Sequence, residues 1–392
     1  MWKQCENEQE LLVALRRELH KIPEIECHLP KTQSFVQSKL EEYQIPYRSS
    51  KIDNSIMGEI VGNPNGKILV LRADMDALPI TEANEIDYIS IHNGYMHACG
   101  HDAHTAMLLG ALKVLNKNKN HINGIVRFLF QTGEETSQGA KIMIQEGALE
   151  NADAILGMHI GSIFGKDIPS GTFICAPGCC MASMDKFVVH VKGIGCHGST
   201  PEKGIDPINI ASHIVISLQT VIAREFSATR PAVLTIGKIQ GGNAFNIIPN
   251  EVILEGTIRA INQAERGRLA RRIQEISTNV AITFGGTANT EILWGAPPVI
   301  NNKTFTALVA DSCSKIVGEN MLIREISAPN MGGEDFAYYA KAIPGAYIFL
   351  SSSDASIHTD VPHHNPKFQI DESVLWKGTA AYVSTVESYF QN

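Results

Sequence analysis

Met96-His97-Ala98-Cys99-Gly100-His101-Asp102-Ala103-His104 gathers a thiol, three imidazoles and a carboxylate into one short stretch. Cys99 and His101 are two positions apart, so in an extended or tightly turned segment their side chains can converge. Soft sulfur beside imidazole nitrogen suits zinc or another first-row divalent ion. From Ala103 onward, Thr105, Met107, Leu108, Leu109, Ala111, Leu112 and Leu115 read as a helix, so the polar cluster lies just before a helix start. A lone Cys-x-His pair equally describes a buried free cysteine among core histidines, because free cysteine packs as a small hydrophobe. What decides between the two is whether ligands arrive from elsewhere.

Outward from this stretch, apolar strands alternate with helices. Ile68-Leu69-Val70-Leu71 reads as a buried strand ending in Arg72-Ala73-Asp74-Met75-Asp76. Ile125 to Phe130 is the next, ending in Gln131-Thr132-Gly133-Glu134-Glu135, and a helix follows through Ile142 and Ile144. Ala154 to Met158 is a third strand, ending at His159. Helices over 8–21 and 32–44 and a short strand at Ile56–Val61 come first. This alternation predicts an α/β domain with a mostly parallel sheet. Near residue 180 the pattern changes to a strand at 186–191, a helix at 206–223, strands at 232–240 and 251–260, a helix at 263–280 and a strand at 290–294. That is the split βαβ order of a small α+β domain. The α/β pattern resumes with a helix at 303–317, a helix entered at Glu334-Asp335, a strand at 346–350 and a final helix over 371–389. We therefore expect a catalytic domain in two parts, 1–182 and 296–392, with a satellite domain inserted over 183–295.

The bulk numbers narrow the function. A net charge of −8 speaks against nucleic acid as the main partner. No apolar run is long enough to span a bilayer, and no secretory signal is evident. Eight scattered cysteines form no disulfide framework and fit a cytoplasmic setting. No Gly-x-Gly-x-x-Gly or Gly-Lys-Ser/Thr follows a strand, so a nucleotide enzyme lacks its phosphate loop.

The site argument is positional. Asp74 and Asp76, Glu134 and Glu135, and His159 each follow the C-terminal end of a buried strand, where open α/β sheets hold their ligands. With Cys99 and His101, four segments deliver metal-type donors to one rim. The adjacent acids Glu134-Glu135 suit a divided task, one carboxylate on an ion and one taking a proton from water. A distant segment, His358 and then Pro362-His363-His364-Asn365-Pro366, supplies a histidine able to close the site, either His363 or His364.

Taken together, Leu71-Arg72-Ala73-Asp74-Met75-Asp76-Ala77-Leu78-Pro79, His97 to Thr105, Gln131 to Glu135, Gly157-Met158-His159, Gly332-Gly333-Glu334-Asp335-Phe336 and His364-Asn365-Pro366-Lys367-Phe368 resemble the M20 metallopeptidase superfamily. The resemblance is closer to its amidohydrolase branch, which includes hippurate hydrolases, N-acyl-amino-acid deacylases and auxin-conjugate hydrolases. It implies a zinc-exopeptidase-like catalytic domain with a dimerisation or lid domain, acting as a homodimer. It implies two divalent ions (zinc, manganese, cobalt or nickel) on Cys99, His101, Glu135, His159 and His364, with Glu134 as general base. Asp76 matches an acidic residue beneath the site that orients a ligand. His197, in His197-Gly198-Ser199-Thr200-Pro201, matches a histidine that reaches the scissile carbonyl; the family more often has Ala-Ala-x-Pro after it. Asn246 and Arg259 match positions near the substrate. The glycines before Glu334, Gly333 among them, lead into a helix start whose amides suit a substrate carboxylate. The activity implied is hydrolysis of N-acyl amino acids to a carboxylic acid and a free amino acid. The rival is a metallo-carboxypeptidase or dipeptidase with the same machinery. Cys175-x-x-x-Cys179-Cys180 has no role in this reading and is expected to be core.

Overall fold

The strand Ile68–Asp74 is buried from Leu69 to Asp74, which is why its sequence is apolar without alternation. It lies parallel to Ile125–Gln131 on one side and Ala154–Ile160 on the other. Ala154–Ile160 in turn pairs parallel with Gly345–Leu350. These four strands are the centre of an eight-stranded sheet. Its flanks are antiparallel: Ile56–Val61 against Ile125–Gln131, and Phe173–Ile174 against Gly345–Leu350. The α/β expectation of a mostly parallel sheet thus holds, with the antiparallel pairings confined to the flanks.

The computed structural model describes residues 1–391. They divide into two compact units. The first comprises Met1–Cys180, Val299–Asn330 and Asp335–Asn392; the second comprises Met181–Pro298 and Met331–Glu334. In the first, the helix His101–Lys117 is buried from His101 to Leu112 and packs against the sheet, the N-terminal helix Gln9–Lys21 and the C-terminal helix Leu375–Gln391. A helix covered on all sides has no polar stripe to spare. Its polar residues, His101, Asp102, His104 and Thr105, must therefore each find a partner inside.

The second unit is a four-stranded antiparallel sheet built from Asp185–Lys192, Ala232–Gly241, Glu251–Ala260 and Thr287–Leu293. The helices Pro207–Thr220 and Gln263–Thr283 cover it. Its own core contains Phe187, Val189, Ile210, Ile214, Leu254 and Ile273. Asp206 caps the first helix by accepting from the Ile208 amide at 2.8 Å. Asn262 caps the second by accepting from the Glu265 amide at 2.9 Å, and its side-chain amide donates to Glu265 Oε2.

One sequence expectation needs correction. The helix placed at Glu334-Asp335 starts later, at Ala337, and has only six residues. Glu334 and Asp335 lie in the turn before it, and the Asp335 amide already donates to Glu134 Oε1 at 3.3 Å. A helix N-terminus open to a substrate carboxylate is therefore not built here. Among the described residues no helix is long and apolar enough to cross a membrane.

Candidate metal centre

Three rims of the parallel sheet and two loops bring the candidate donors of the first unit together. Gly100, at φ +86°, turns the chain between Cys99 and His101; this left-handed conformation is one that glycine adopts without cost. His101 Nδ1 donates to the Asp76 carbonyl at 2.8 Å, and its Nε2 is buried with no hydrogen-bond partner. His159 Nδ1 donates to the Ile160 carbonyl at 2.9 Å, leaving Nε2 to face Cys99 Sγ at 3.4 Å. In both rings one nitrogen is tied to backbone and the other is aimed inward, which is how a ligating imidazole is held.

Asp76 sets the geometry of the acidic pair. Its Oδ1 accepts from the Glu134 amide and its Oδ2 from the Glu135 amide, each at 3.1 Å. One buried carboxylate thus clamps both residues of the turn, and the two side chains leave it differently. Glu135 Oε1 lies 3.4 Å from His364 Nε2. Glu134 Oε1 accepts from the Asp335 amide. His364 itself has a left-handed backbone, φ +62°, and its amide donates to the Ala98 carbonyl at 2.9 Å, so the distant segment is pinned to the Cys99 loop.

The donors form overlapping trios whose ligand atoms lie within 4.8 Å of one another: Cys99, His159 and His363; Cys99, Glu135 and His364; His101, Glu134 and Glu135. Cys99 and Glu135 each occur in two of them, and shared donors are what two neighbouring ions require. Asp74, His101 and His104 form another such group, but two of its members, Asp74 and His104, are already occupied. His104 Nδ1 is bonded to Asp74 Oδ1 at 2.5 Å, and its Nε2 accepts from the Ile160 amide at 2.9 Å. Asp74 Oδ2 takes Arg72 Nη1 at 2.6 Å. That cluster braces the wall of the site.

The electrostatics agree with a cation pocket. Burial, with the Glu135 carboxylate nearby, pushes the Cys99 thiol up to about 12. Burial and the neighbouring rings of His104 and His363 hold His159 well below the usual imidazole range, hence neutral. Burial opposes a charge on His101, but Asp74 and Cys99 outweigh it and hold the ring well above that range. A divalent cation bound by Cys99 and His101 would take the place of their protons. Orphaned His101 Nε2 and Glu135 Oε1, a thiol and neutral imidazoles fit a first-row divalent ion.

Below this lies a buried scaffold whose parts the sequence reading quoted but gave no role. Arg72 donates to Gln131 at 3.0 Å and to Asp335 at 2.8 Å. Asp335 also accepts from Gln131 Nε2 and the Ala140 amide, and Tyr339 closes the set on Gln131 at 3.0 Å. The one available signal was an arginine and a glutamine at the ends of otherwise apolar strands.

The second unit carries the remaining candidates. His197 pairs with Ile247 at the end of a short ladder, and its Nδ1 accepts from the Ser199 amide at 3.1 Å, so Nε2 carries the proton. With Asn243, Ala244 and Asn250 it lines a cavity of about 580 Å³. Asn246 is exposed, and its carbonyl accepts from Gly198 at 2.8 Å. Arg259 is half-buried and has no carboxylate within ion-pair reach among the described residues. Gly333 leaves space beside it: a Cβ there would lie 3.3 Å from Arg259 Nη1. The structure thus brings Arg259 and Gly333 together. Cys175 lies 3.9 Å from Cys313, and both are buried core thiols, as is Cys180, while Cys179 is only partly buried.

Residues 70–388 match the family model described as peptidase family M20/M25/M40. The chain is 38% identical over 370 residues to an N-acetyl-L-cysteine deacetylase of Bacillus subtilis, covering 94% of this chain and 85% of that one. It is 35% identical to thermostable carboxypeptidase 2 of Saccharolobus solfataricus, covering 95% and 94%. Among solved structures, the Bacillus subtilis YXEP protein, a dinuclear metal-binding M20 peptidase, superposes with a TM-score of 0.85 at 30% identity, covering 98% of both chains. A provisionally named aminohydrolase from methicillin-resistant Staphylococcus aureus gives 0.93 at 32% identity, covering 100% and 99%. A pocket lined with thiol, imidazole and carboxylate donors for two divalent ions, on this fold and in this company, makes the chain a metal-dependent hydrolase belonging to peptidase family M20/M25/M40.

Proposed function

We propose that the protein hydrolyses the amide bond of N-acyl amino acids, releasing a carboxylic acid and a free amino acid. The observation that carries this is the Glu134-Glu135 turn clamped by Asp76, which turns Glu135 toward His364 and Cys99 and leaves Glu134 beside the donors with its Oε1 held by the Asp335 amide. Cys99, His101, Glu135, His159 and His364 would hold the ions, which supply polarisation of the substrate carbonyl and acidification of a water. Glu134 removes a proton from the attacking water, and the same carboxyl returns it to the departing amine nitrogen. The Asp335 amide holds Glu134 Oε1 for this exchange. His197, protonated at Nε2, donates to the oxyanion of the tetrahedral intermediate. Arg259, a half-buried guanidinium in no ion pair among the described residues though within the influence of Asp185, is positioned by Gly333 for the substrate carboxylate, with Asn246 nearby in the sequence of the same unit. A homodimer through the second unit belongs to the same reading, supported by exposed Ile216, Ile239 and Phe245. So does a cytoplasmic setting, since all eight cysteines are free.

A carboxypeptidase is the second reading, supported by the resemblance to the Saccharolobus carboxypeptidases. The test is amine release from benzoylglycine, N-acetyl amino acids and dipeptides by enzyme loaded with zinc, manganese, cobalt or nickel. Faster turnover of acylated amino acids supports the first reading. Turnover confined to free-amino peptides replaces it with the second.

A further inference from the structure

His363 stands among the grouped donors but holds neither ion in the ligand set given above, and the surroundings of its ring are unusual for a histidine. Both ring nitrogens are buried, and neither makes a hydrogen bond of normal geometry among the described residues, the Cys99 backbone bearing on the ring only weakly. Imidazole in a protein interior normally satisfies at least one nitrogen, because a buried unpaired polar atom is costly. The ring is not loosely placed. It packs against Phe368 at 4.7 Å between centroids and stands edge-on to His159 at 5.1 Å. It occupies the space over Gly161, where a Cβ would come within 2.1 Å of His363 Nε2. A glycine at 161 is therefore what admits this ring.

The donors around it point to an ion. One His363 nitrogen lies within 4.8 Å of both Cys99 Sγ and a His159 nitrogen. His159 already spends Nδ1 on the Ile160 carbonyl, so Nε2 is its free donor. Two imidazoles on one tetrahedral ion, with metal–nitrogen bonds of about 2.1 Å, have ring centroids about 5 Å apart, which matches the separation of these two. A left-handed backbone at His364 allows two consecutive histidines to address one centre.

We propose that His363 is a metal ligand in its own right. It encloses one cation with Cys99 and His159, while Cys99, His101, Glu135 and His364 serve the other. This rests on the two-ion reading of the site and adds an imidazole to it. The extra nitrogen donor beside a thiolate biases that position toward zinc, cobalt or nickel over manganese.

The test uses the full-length protein stripped with a chelator and titrated with zinc against a chromophoric competitor. Wild type should bind two zinc ions. His363→Leu, which keeps an apolar contact with Phe368, should bind one ion unchanged and the other at least tenfold more weakly, and the visible bands of the cobalt form should change. Equal affinity for both ions with an unaltered cobalt spectrum overturns the role of His363. Wild type binding fewer than two ions overturns the two-ion reading instead. Should His363→Leu fail to fold, X-ray absorption on the zinc-loaded wild type decides. Four imidazoles shared over two zinc ions support the proposal, and three overturn it.

Discussion

Asp76 and Glu134 separate two kinds of dependence at the level of single residues. Glu134 has no part in holding the ions under our reading, so Glu134→Gln should keep the metal content of wild type. It should lower turnover by about a thousandfold or more, the size expected when a positioned base is lost along with its later action as acid. Metal analysis beside an N-acyl amino acid assay checks both halves, and retained turnover would remove Glu134 as the base. Asp76 acts through others. Its two oxygens hold the Glu134 and Glu135 amides, and its carbonyl holds His101. Asp76→Ala should therefore weaken metal binding and turnover together, by about 10- to 100-fold, the usual cost of losing a group that orients a ligand. A fall in turnover at unchanged metal affinity would show that the turn keeps its shape without the clamp.

The N-terminal helix Gln9–Lys21 braces the start of the ligand-bearing helix His101–Lys117 through charges. Arg16 Nε and His20 Nδ1 both meet Asp102 Oδ2, at 2.8 and 2.7 Å, and His20 Nε2 meets Glu82 at 3.1 Å. Burial and Arg16 disfavour a charge on His20, yet its bonds to Asp102 and Glu82 outweigh them and raise its proton affinity. Burial likewise opposes Glu82, but His20 lowers it below the usual range. The two contributions have opposite pH limits. That of His20 is complete below its unfolded value of about 6.5 and is lost as pH rises through the higher folded value. That of Glu82 is complete above about 4.3 and is lost as pH falls through the lower folded value. His20→Gln should therefore cost about 3 kcal/mol, with the deficit greatest between about pH 4.3 and 6.5. Urea midpoints of both proteins across that range, at one fixed metal concentration, test this; a deficit that grows steadily above pH 7 contradicts it. This brace also marks where sequence reading stops. The strands and the donors at their ends were legible because apolar runs and metal-type residues announce themselves locally. Arg16, His20 and Glu372 drew no reading from the sequence, and Asp335 was read only as part of a helix start. Their partners lie far away in the chain, and no local pattern records which buried carboxylate a charge will meet. The direction of the flanking strands was not readable for a related reason: a short apolar run carries no sign of whether its neighbour runs with it or against it.

On the proposed reading, labour across the whole molecule is divided between the units. Each has its own apolar core, and Cys99, His101, Glu134, Glu135, His159, His363 and His364 all belong to the first. His197, Asn246, Arg259 and Gly333 belong to the second. Ion binding and turnover should therefore be separable by excision. Where the chain enters and leaves the inserted part, the Met184 amide donates to the Ala296 carbonyl at 2.9 Å, so a short Gly-Ser linker can replace residues 185–295. The core of the first unit supplies the burial that a domain of this size needs to fold. The excised protein should retain its metal stoichiometry after gel filtration. Added metal should still raise its melting temperature, since binding to the folded state alone stabilises by mass action. Hydrolysis of N-acyl amino acids should fall at least 100-fold, the size of loss expected when an oxyanion donor is removed. Metal analysis, melting curves and amine release on the same preparation read these separately. Loss of the metal would mean that the donor set relies on the inserted unit for its shape. Turnover at the wild-type rate would exclude His197 and Arg259 from the reaction and confine catalysis to the first unit.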